Sequence, residues 1–179
     1  MIDSKTFRLD GRLALITGSS TGIGFALAQG LAQAGAEVII NARTAERVEQ
    51  AVETLRKEGH KVHGQVFDVT QEESVTQAID HIESKIGPLH ILVNNAGMTR
   101  RAPLHEFSFA NWQQILQTNL DSVFLVSRSV VQHMLPRRAG KIINICSVQS
   151  ELGRPGISPY MATKGGLKML TKGMAICLL

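Results

Sequence analysis

The sequence predicts an α/β fold in which one parallel sheet is doubly wound, with helices on both of its faces. Short runs rich in Val, Ile and Leu alternate along the chain with longer segments of helical periodicity. The short runs are apolar throughout, which is typical of parallel strands that are covered on both faces. Right-handed crossovers between such strands distribute the helices over both faces. A length of 179 residues fits one domain, which we expect to span residues 1–179.

Five strands follow from the apolar runs, and the doubly wound topology predicts the order 3-2-1-4-5 for them. The predicted strands are residues 12–17, 37–42, 61–67, 89–94 and 141–146.

Helices fill the segments between the strands, and capping residues mark their ends. We expect Thr44 to cap the second helix and Gly59 to end it, while Pro136 ends the fourth helix. The predicted helices are residues 22–34, 44–59, 71–86, 109–135 and a last one from Pro159 onward.

Composition and charge argue against several classes of protein. Aromatic residues make up 4% and the net charge is only +4, so a base-stacking surface for nucleic acid is not expected. Cys146 and Cys177 are the only cysteines, which argues against a disulfide framework and against a zinc site. The first residues lack an apolar signal core, and no apolar run reaches membrane-spanning length. We therefore expect a cytoplasmic protein whose partner is a small molecule, with no metal.

A glycine-rich turn, TGSSTGIG at residues 17–24, joins the first strand to the first helix. Gly18 permits a tight turn, Gly22 lets a pyrophosphate approach the backbone, and Gly24 lets the helix pack close to the strand. The helix N-terminus offers free N–H groups to phosphates. The turn therefore predicts a dinucleotide site to which Ser20 and Ile23 also belong. A plain tight connection between strand and helix is the alternative.

The end of the second strand bears on the kind of dinucleotide. Asn41-Ala42-Arg43 contains no carboxylate to bind the ribose 2′-hydroxyl of NAD. Arg43 can pair with the 2′-phosphate of NADP through charge-assisted hydrogen bonds. The sequence therefore favours NADP, with NAD as the alternative cofactor, unless Arg43 is simply a surface residue that opens the next helix.

Three polar residues near the end of the chain suit proton exchange with an alcohol or a ketone. Tyr160 and Lys164 are four residues apart on a predicted helix, so they share one face. An ordinary tyrosine loses its proton near pH ~10, and a neighbouring ammonium favours the phenolate. Ser147 follows the fifth strand at the carboxyl edge, where open α/β sheets bind ligands. Its hydroxyl could bind the substrate oxygen while Tyr160 exchanges the proton.

This combination of motifs resembles the short-chain dehydrogenase/reductase family over essentially the whole chain. The resemblance implies an oxidoreductase in which a nicotinamide cofactor supplies the hydride chemistry. It is carried, in chain order, by residues 17–24, Asp68, Asn94-Asn95-Ala96-Gly97, Asn119, Ser147, Tyr160 and Lys164.

The same resemblance implies roles for residues that the pattern alone does not assign. Asn119 would hold a helix distortion and a water in a proton relay to Lys164, which would also bind the nicotinamide ribose. Without the family pattern, turn-forming or internally bonded asparagines would be the simpler interpretation. Asp68 and Val69 would border the adenine of the cofactor. Asn95, Ala96 and Gly97 would form the floor of the cofactor site.

Within the family, the segments GMTRRAP and KIINICSVQSELGR resemble members that act on sugar acids. Arg100, Arg101 and Arg154 lie on loops near the carboxyl edge and could pair with a carboxylate. Gln149 and Ser147 offer polar atoms to hydroxyl groups. Solvated loop charges are the alternative for each arginine.

The resemblance to the family ends within the helix that carries Tyr160, whereas family members continue with further strands and a substrate-covering loop. We therefore expect a dehydrogenase domain that is incomplete at its C-terminus, with an open fifth strand and weak turnover. By resemblance it would form a homo-oligomer, a tetramer or a dimer, through residues 109–135 and the Tyr160 helix. A reductase of another carbonyl, such as a 3-oxoacyl thioester or a steroid, and a non-catalytic dinucleotide-binding fragment are the competing hypotheses.

Overall fold

A computed structural model describes residues 7–178, which contain one parallel sheet flanked by helices. The sheet has five strands in the order 3-2-1-4-5, and all neighbouring strands run parallel. The predicted fold class is thus confirmed. The strands are β1 Leu13–Ile16, β2 Glu37–Ala42, β3 Val62–Val66, β4 Ile91–Asn94 and β5 Lys141–Asn144. The α-helices are α1 Gly22–Gln33, α2 Ala45–Lys57, α3 Glu72–His81, α4 Phe109–Leu116, α5 Ser122–Arg137 and α6 Ser158–Cys177.

Several predicted boundaries are wrong, for identifiable local reasons. Thr44 occupies the N-cap position of α2, as predicted, although its side chain forms no capping hydrogen bond. Pro136 lies inside the last turn of α5, and the helix ends only when Arg138 adopts a left-handed conformation with φ 52°. Proline lacks only its own N–H donor to the preceding turn, and the helix ends one residue after it. The predicted strands extend past the paired segments by one or two residues at most of their ends.

Two predicted helices contain a wider turn that sequence periodicity did not indicate. The predicted helix 71–86 consists of α3 and a π-helical turn at Ile82–Ile86. The predicted helix 109–135 is divided into α4 and α5 by a second π-helical turn at Gln117–Asp121. Such turns often occur at functional sites, and the second one contains Asn119.

The core consists of two apolar layers, one on each face of the sheet. Leu15 and Ile39 face the layer that holds α3 and α5, while Ile16 and Ile40 face the layer that holds α1 and α2. Successive strand residues therefore point to opposite faces and are buried on both. The face of α1 that packs on the sheet is made of small residues, which allow a close approach.

β5 forms one edge of the described sheet, as the sequence predicted, and its Ile143 is 47% exposed. A cleft of about 1070 Å³ runs beside this edge and is lined by residues of α5, β5 and α6. The last helix also leaves Met169 and Ile176 exposed. Among residues 7–178, no helix combines the length and the apolar character needed to cross a membrane.

The apolar side chains of residues 109–135 lie in two different environments. Val123 and Val130 are buried against the sheet. Phe124 is exposed, and the Arg128 guanidinium lies 5.4 Å from the centre of its ring. Leu116 and Leu120 are half-buried. These side chains therefore lie partly in the core and partly at the surface.

His90, just before β4, generates a prediction about stability. Its Nδ1 accepts a hydrogen bond from the Leu13 N–H at 3.1 Å, which requires an unprotonated Nδ1. Burial, followed by the charges of Arg12 and Arg137, lowers the pKa of His90 from 6.5. The neutral His90 ring contributes fully to the free energy of unfolding when the pH is above the pKa of His90 in the unfolded chain. This contribution is lost as the pH falls through the lower pKa of His90 in the folded protein. His90→Gln keeps a hydrogen-bond acceptor but has no group that titrates in this range. We expect its free energy of unfolding to fall less between about pH 7 and 5 than that of the unmodified chain. Urea unfolding at several pH values measures the difference.

His81→Gln is the matched control, because His81 is exposed at the end of α3. It should leave the pH dependence as it is in the unmodified chain. An equal slope in His90→Gln and the unmodified chain would show that His90 does not titrate with unfolding.

Candidate active site

The turn between β1 and α1 has the backbone conformation that its glycines predicted. Gly18 and Gly22 both have φ +60°, a region that other residues rarely adopt. A Cβ on Gly18 would lie 2.9 Å from the Cα of Ala96. A Cβ on Gly24 would lie 2.5 Å from the Gly18 carbonyl oxygen and would overlap Asn95 Nδ2. The helix can start this close to the strand only because these positions carry no side chain.

The first turn of α1 presents backbone N–H groups to the space above the sheet. Thr21 occupies the N-cap position without a side-chain hydrogen bond, and the first helical bond is donated by Phe25 N–H. The N–H groups of Gly22, Ile23 and Gly24 therefore have no acceptor within residues 7–178. Ile23 is 69% exposed and Ser20 half-buried, so the turn is open to a ligand. An unfilled helix N-terminus of this kind attracts a phosphate.

Asn41, near the end of β2, holds the glycine turn in place by hydrogen bonds. The sequence did not predict this role. Its Oδ1 accepts from Gly18 N–H at 3.1 Å, and its Nδ2 donates to the carbonyl of Phe67 at 3.1 Å. Its backbone carbonyl accepts from Ser19 N–H at 2.9 Å. The side chain is almost fully buried. A buried amide at the end of the apolar run EVIINA was the available signal.

The segment after β4 supports the same turn from the other side. Asn95 Nδ2 donates to the carbonyls of Thr17 and Gly18 at 3.0 and 3.1 Å. The Thr17 hydroxyl accepts from the backbone N–H groups of Asn95 and Ala96 at 3.0 and 3.1 Å. Gly97 follows, with Asn119 Oδ1 3.4 Å from where its Cβ would lie. Two of the residues that the family resemblance assigned to the floor of the cofactor site, Asn95 and Ala96, are therefore hydrogen-bonded to the glycine turn.

Asp68, Val69 and Arg43 lie at the ends of β3 and β2. Asp68 Oδ1 accepts from the backbone N–H and the hydroxyl of Thr70 at 2.9 and 2.7 Å. Val69 is buried, whereas Arg43 is exposed directly after β2. Asp68 thus shapes the local turn, and the Arg43 side chain forms no hydrogen bond or ion pair with another residue in the range 7–178.

Ser147 caps a short 3-10 turn, Val148–Ser150, that follows β5. Its hydroxyl accepts from Gln149 N–H at 3.2 Å and donates to Gln149 Oε1 at 3.0 Å. The Ser150 hydroxyl accepts from Ser147 N–H at 3.4 Å and donates to the backbone carbonyl of Lys164 at 3.0 Å. Ser150 therefore joins the Ser147 turn to α6, a contact that sequence spacing did not reveal.

Tyr160 and Lys164 share one face of α6, as their spacing predicted. Lys164 Nζ lies 5.7 Å from the centre of the Tyr160 ring and donates to the Ile145 carbonyl at 2.6 Å. Lys164 is buried, and this burial lowers its pKa below the usual 10.5, with an opposing effect from Cys146. The Lys164 ammonium is thus held at the Ile145 carbonyl, just after β5 and two residues before Ser147.

Asn119 is fully buried within the π-helical turn between α4 and α5. It exchanges two hydrogen bonds with the Met98 backbone, at 2.7 and 2.8 Å, and donates to the Thr163 hydroxyl at 3.2 Å. The distortion expected from the family resemblance is present at this position. Its direct contact on α6 is Thr163, the neighbour of Lys164, and not the lysine itself.

The three predicted substrate arginines are exposed on two neighbouring loops. Arg100 Nη2 donates to Gln114 Oε1 at 2.9 Å. The loops that carry Arg101 and Arg154 are joined by the hydrogen bond from Ala102 N–H to the Gly156 carbonyl at 3.1 Å. The fold thus brings the loop of Arg101 next to the loop of Arg154, which leads into α6.

Comparison with known proteins places this geometry among dehydrogenases. The family described as short chain dehydrogenase matches residues 12–178. A gluconate 5-dehydrogenase of Gluconobacter oxydans is 54% identical over 94% of this chain and 66% of its own length. A 5-keto-D-gluconate 5-reductase of Escherichia coli is 53% identical over 95% of this chain and 67% of its own length. This chain therefore spans about two thirds of the length of these relatives.

A solved structure shares the arrangement of the backbone. The crystal structure of a gluconate 5-dehydrogenase from Burkholderia cenocepacia, in complex with NADP and tartrate, superposes with a TM-score of 0.94 at 53% identity. The match covers 97% of this chain and 68% of that chain.

Two glycines of α1 give a direct test of the turn. Gly24→Ala should destabilise the protein by about 2 kcal/mol or more, because the new methyl group meets the backbone of Gly18. Gly30→Ala, on the same helix with nothing within 4 Å of its Cβ, should be neutral or stabilising. Urea unfolding of both variants measures the difference. Similar stabilities for the two would contradict the close packing at Gly24.

Proposed function

The chain belongs to the short-chain dehydrogenase family, and from this premise we propose that it transfers hydride between NADP(H) and a secondary alcohol or ketone. The proposed pair is gluconate and 5-ketogluconate. The observation that carries the proposal is the buried Lys164 ammonium beside the Tyr160 ring, on a helix that Ser150 joins to the Ser147 turn. Relatives at 53–54% identity whose names specify this chemistry support the choice of substrate.

The residues at the glycine turn fit the diphosphate of a dinucleotide. Unpaired N–H groups at Gly22, Ile23 and Gly24 meet the requirement for an anion site, and Gly22 leaves the approach open. Arg43 has no carboxylate beside it on β2, which suits the 2′-phosphate of NADP. When bound, the nicotinamide supplies or accepts the hydride. The cofactor-binding residues in this proposal are Gly18, Ser20, Gly22, Ile23, Gly24, Arg43, Asp68, Val69, Asn95, Ala96, Gly97, Tyr160 and Lys164.

The chain's own residues would handle the proton. Tyr160 donates its phenolic proton to the substrate oxygen in reduction and takes it back in oxidation. The Lys164 ammonium, held by the Ile145 carbonyl, stabilises the negative charge that develops on the Tyr160 oxygen. Ser147 donates a hydrogen bond to the same substrate oxygen, and Asn119 positions α6 through Thr163.

Arginine side chains on the neighbouring loops would select the substrate. We assign the carboxylate of a sugar acid to Arg100, Arg101 and Arg154, since a guanidinium pairs with a carboxylate in two parallel hydrogen bonds. Gln149 and Ser147 would face the hydroxyl groups. The backbone hydrogen bond between Ala102 and Gly156, which joins the two loops, supports this assignment.

Assembly and location complete the proposal. A homo-oligomer, a dimer or a tetramer, would cover Phe109, Phe124 and Met169, which are large, apolar and exposed on α4, α5 and α6. A cytoplasmic location agrees with two free cysteines, Cys146 and Cys177.

The function is tested with the purified chain in two steps. NADPH is first titrated by fluorescence, and its oxidation is then followed with 5-ketogluconate, a 3-oxoacyl thioester and a steroid ketone. We expect the highest kcat/KM with 5-ketogluconate. Tyr160→Phe and Lys164→Met should each lower kcat by about 10²–10⁴-fold, since both disable proton exchange. Lys172→Met, exposed two turns further along α6, should retain the activity.

Each competing function gives a different result in this experiment. A higher kcat/KM with the thioester or the steroid would replace the sugar-acid assignment by another carbonyl. NADPH binding without turnover of any ketone would identify a non-catalytic dinucleotide-binding protein.

The cofactor assignment generates a separate prediction. Arg43→Ala should weaken NADPH binding by about tenfold or more and leave NADH binding unchanged, because only NADPH carries the 2′-phosphate. Ala42→Asp should weaken NADPH binding further and strengthen NADH binding, since a carboxylate there binds the ribose hydroxyls. Arg47→Ala, one turn along α2, is the control. Equal effects of Arg43→Ala and Arg47→Ala on the NADPH dissociation constant would disprove the role of Arg43.

A further inference from the structure

We propose that Gln149 determines which alcohols and ketones Ser147 accepts, because its carboxamide binds a hydroxyl group on the carbon next to the reacting carbon. The proposal rests on the proposed function and narrows its substrates to α-hydroxyketones and vicinal diols. It follows from the hydrogen bonds within the Ser147 turn.

The Gln149 side chain occupies the hydrogen-bonding direction that a substrate oxygen needs. Ser147 Oγ donates to Gln149 Oε1 at 3.0 Å. A hydroxyl group has one proton to donate, so Ser147 cannot donate a hydrogen bond to a ketone oxygen while this bond is formed. A substrate must therefore displace the carboxamide oxygen before it can react.

The serine is held in place, so the glutamine side chain is the part that moves. Ser147 N–H donates to Ser150 Oγ at 3.4 Å, and Ser150 Oγ donates to the Lys164 carbonyl at 3.0 Å. The Ser147 oxygen also accepts from Gln149 N–H at 3.2 Å. These bonds fix the turn against α6. Among the described residues, the Gln149 carboxamide forms a hydrogen bond only with Ser147, and it can rotate about its own side-chain torsions.

The displaced carboxamide remains beside the carbon next to the reacting one. Oxygens on neighbouring carbons lie about one hydrogen-bond length apart, so a ketone oxygen bound to Ser147 brings the neighbouring oxygen close to the Gln149 side chain. Gln149 Nε2 donates to no protein acceptor within residues 7–178, so the carboxamide offers both a donor and an acceptor. A neighbouring hydroxyl group matches both, whereas a methylene group matches neither.

Discrimination follows from the hydrogen bond that Gln149 loses. A ketone without an adjacent hydroxyl group accepts the hydrogen bond of Ser147 and leaves the half-buried Gln149 carboxamide without a partner. A ketone with an adjacent hydroxyl group replaces the lost bond. 5-Ketogluconate carries hydroxyl groups on both carbons that flank its ketone, so it belongs to the favoured class.

The experiment compares 3-hydroxybutan-2-one with butan-2-one, which differ only in the adjacent hydroxyl group, and includes 5-ketogluconate. kcat/KM is measured with NADPH, and the affinity of each ketone for the NADP-saturated chain is measured by ligand-observed NMR. We expect the unmodified chain to prefer the hydroxyketone by about ten- to a hundredfold. Gln149→Met, similar in shape but without the carboxamide, should reduce the preference to about twofold or less.

Gln33→Met is the matched control, because Gln33 is exposed at the last residue of α1, near the amino ends of the strands and away from Ser147. It should keep the full preference. A Gln149→Met variant that still prefers the hydroxyketone overturns the proposal, as does an unmodified chain that treats the two small ketones alike or binds neither. Preference for the hydroxyketone without binding or reduction of 5-ketogluconate would refute the sugar-acid function and leave the role of Gln149 standing.

Discussion

Polar side chains are buried at the carboxyl ends of the strands, and each needs a hydrogen-bond partner. The hydrogen bonds that these side chains form determine the geometry of the site. Within residues 7–178, no buried side-chain nitrogen or oxygen lacks a partner. Asn41 and Asn95 satisfy the carbonyl and N–H groups of the glycine turn, which a regular strand or helix would have paired. An unpaired polar group in such a place costs about 1–3 kcal/mol, so each of these bonds limits where the turn can lie. The open N-terminus of α1 is the result.

A second set of buried polar contacts connects the sheet to the helices on the catalytic side. Asn94 Nδ2 donates to Ser127 Oγ on α5 and to Asn144 Oδ1 on β5, both at 2.9 Å. Asn144 Nδ2 in turn donates to Thr171 Oγ1 on α6 at 2.9 Å. Thr171 lies two turns beyond Lys164 on the same helix. These bonds fix the rotation of α6, and with it the direction in which Tyr160 and Lys164 point. Apolar packing alone tolerates small rotations of a helix, whereas directional hydrogen bonds do not.

The proposed catalytic residues thus come from different elements and are held by directional hydrogen bonds between those elements. Ser147 is joined to α6 through Ser150, Lys164 to β5 through the Ile145 carbonyl, and α6 to the π-helical turn through Asn119 and Thr163. In the proposed reaction, this arrangement keeps the proton donors in place while the Gln149 carboxamide adapts to the substrate. Rigid positioning of the reacting groups and one adjustable contact for selection are compatible, because they use different side chains.

The sequence by itself determined the order of strands and helices, the glycine turn and the shared face of Tyr160 and Lys164. Each depends on local rules: apolar runs mark buried strands, glycine allows positive φ, and a spacing of four residues aligns side chains on a helix. Local rules located the N-cap position of Thr44 but not the absence of its side-chain hydrogen bond. They did not predict the π-helical turn in which the buried Asn119 amide bonds to Met98 and Thr163. Only the tertiary structure decided that Asn41 supports Gly18, that Ser150 joins Ser147 to Lys164 and that Gln149 holds the serine proton. These contacts depend on side-chain rotamers and on which strands and helices become neighbours, and the spacing of residues along a chain encodes neither.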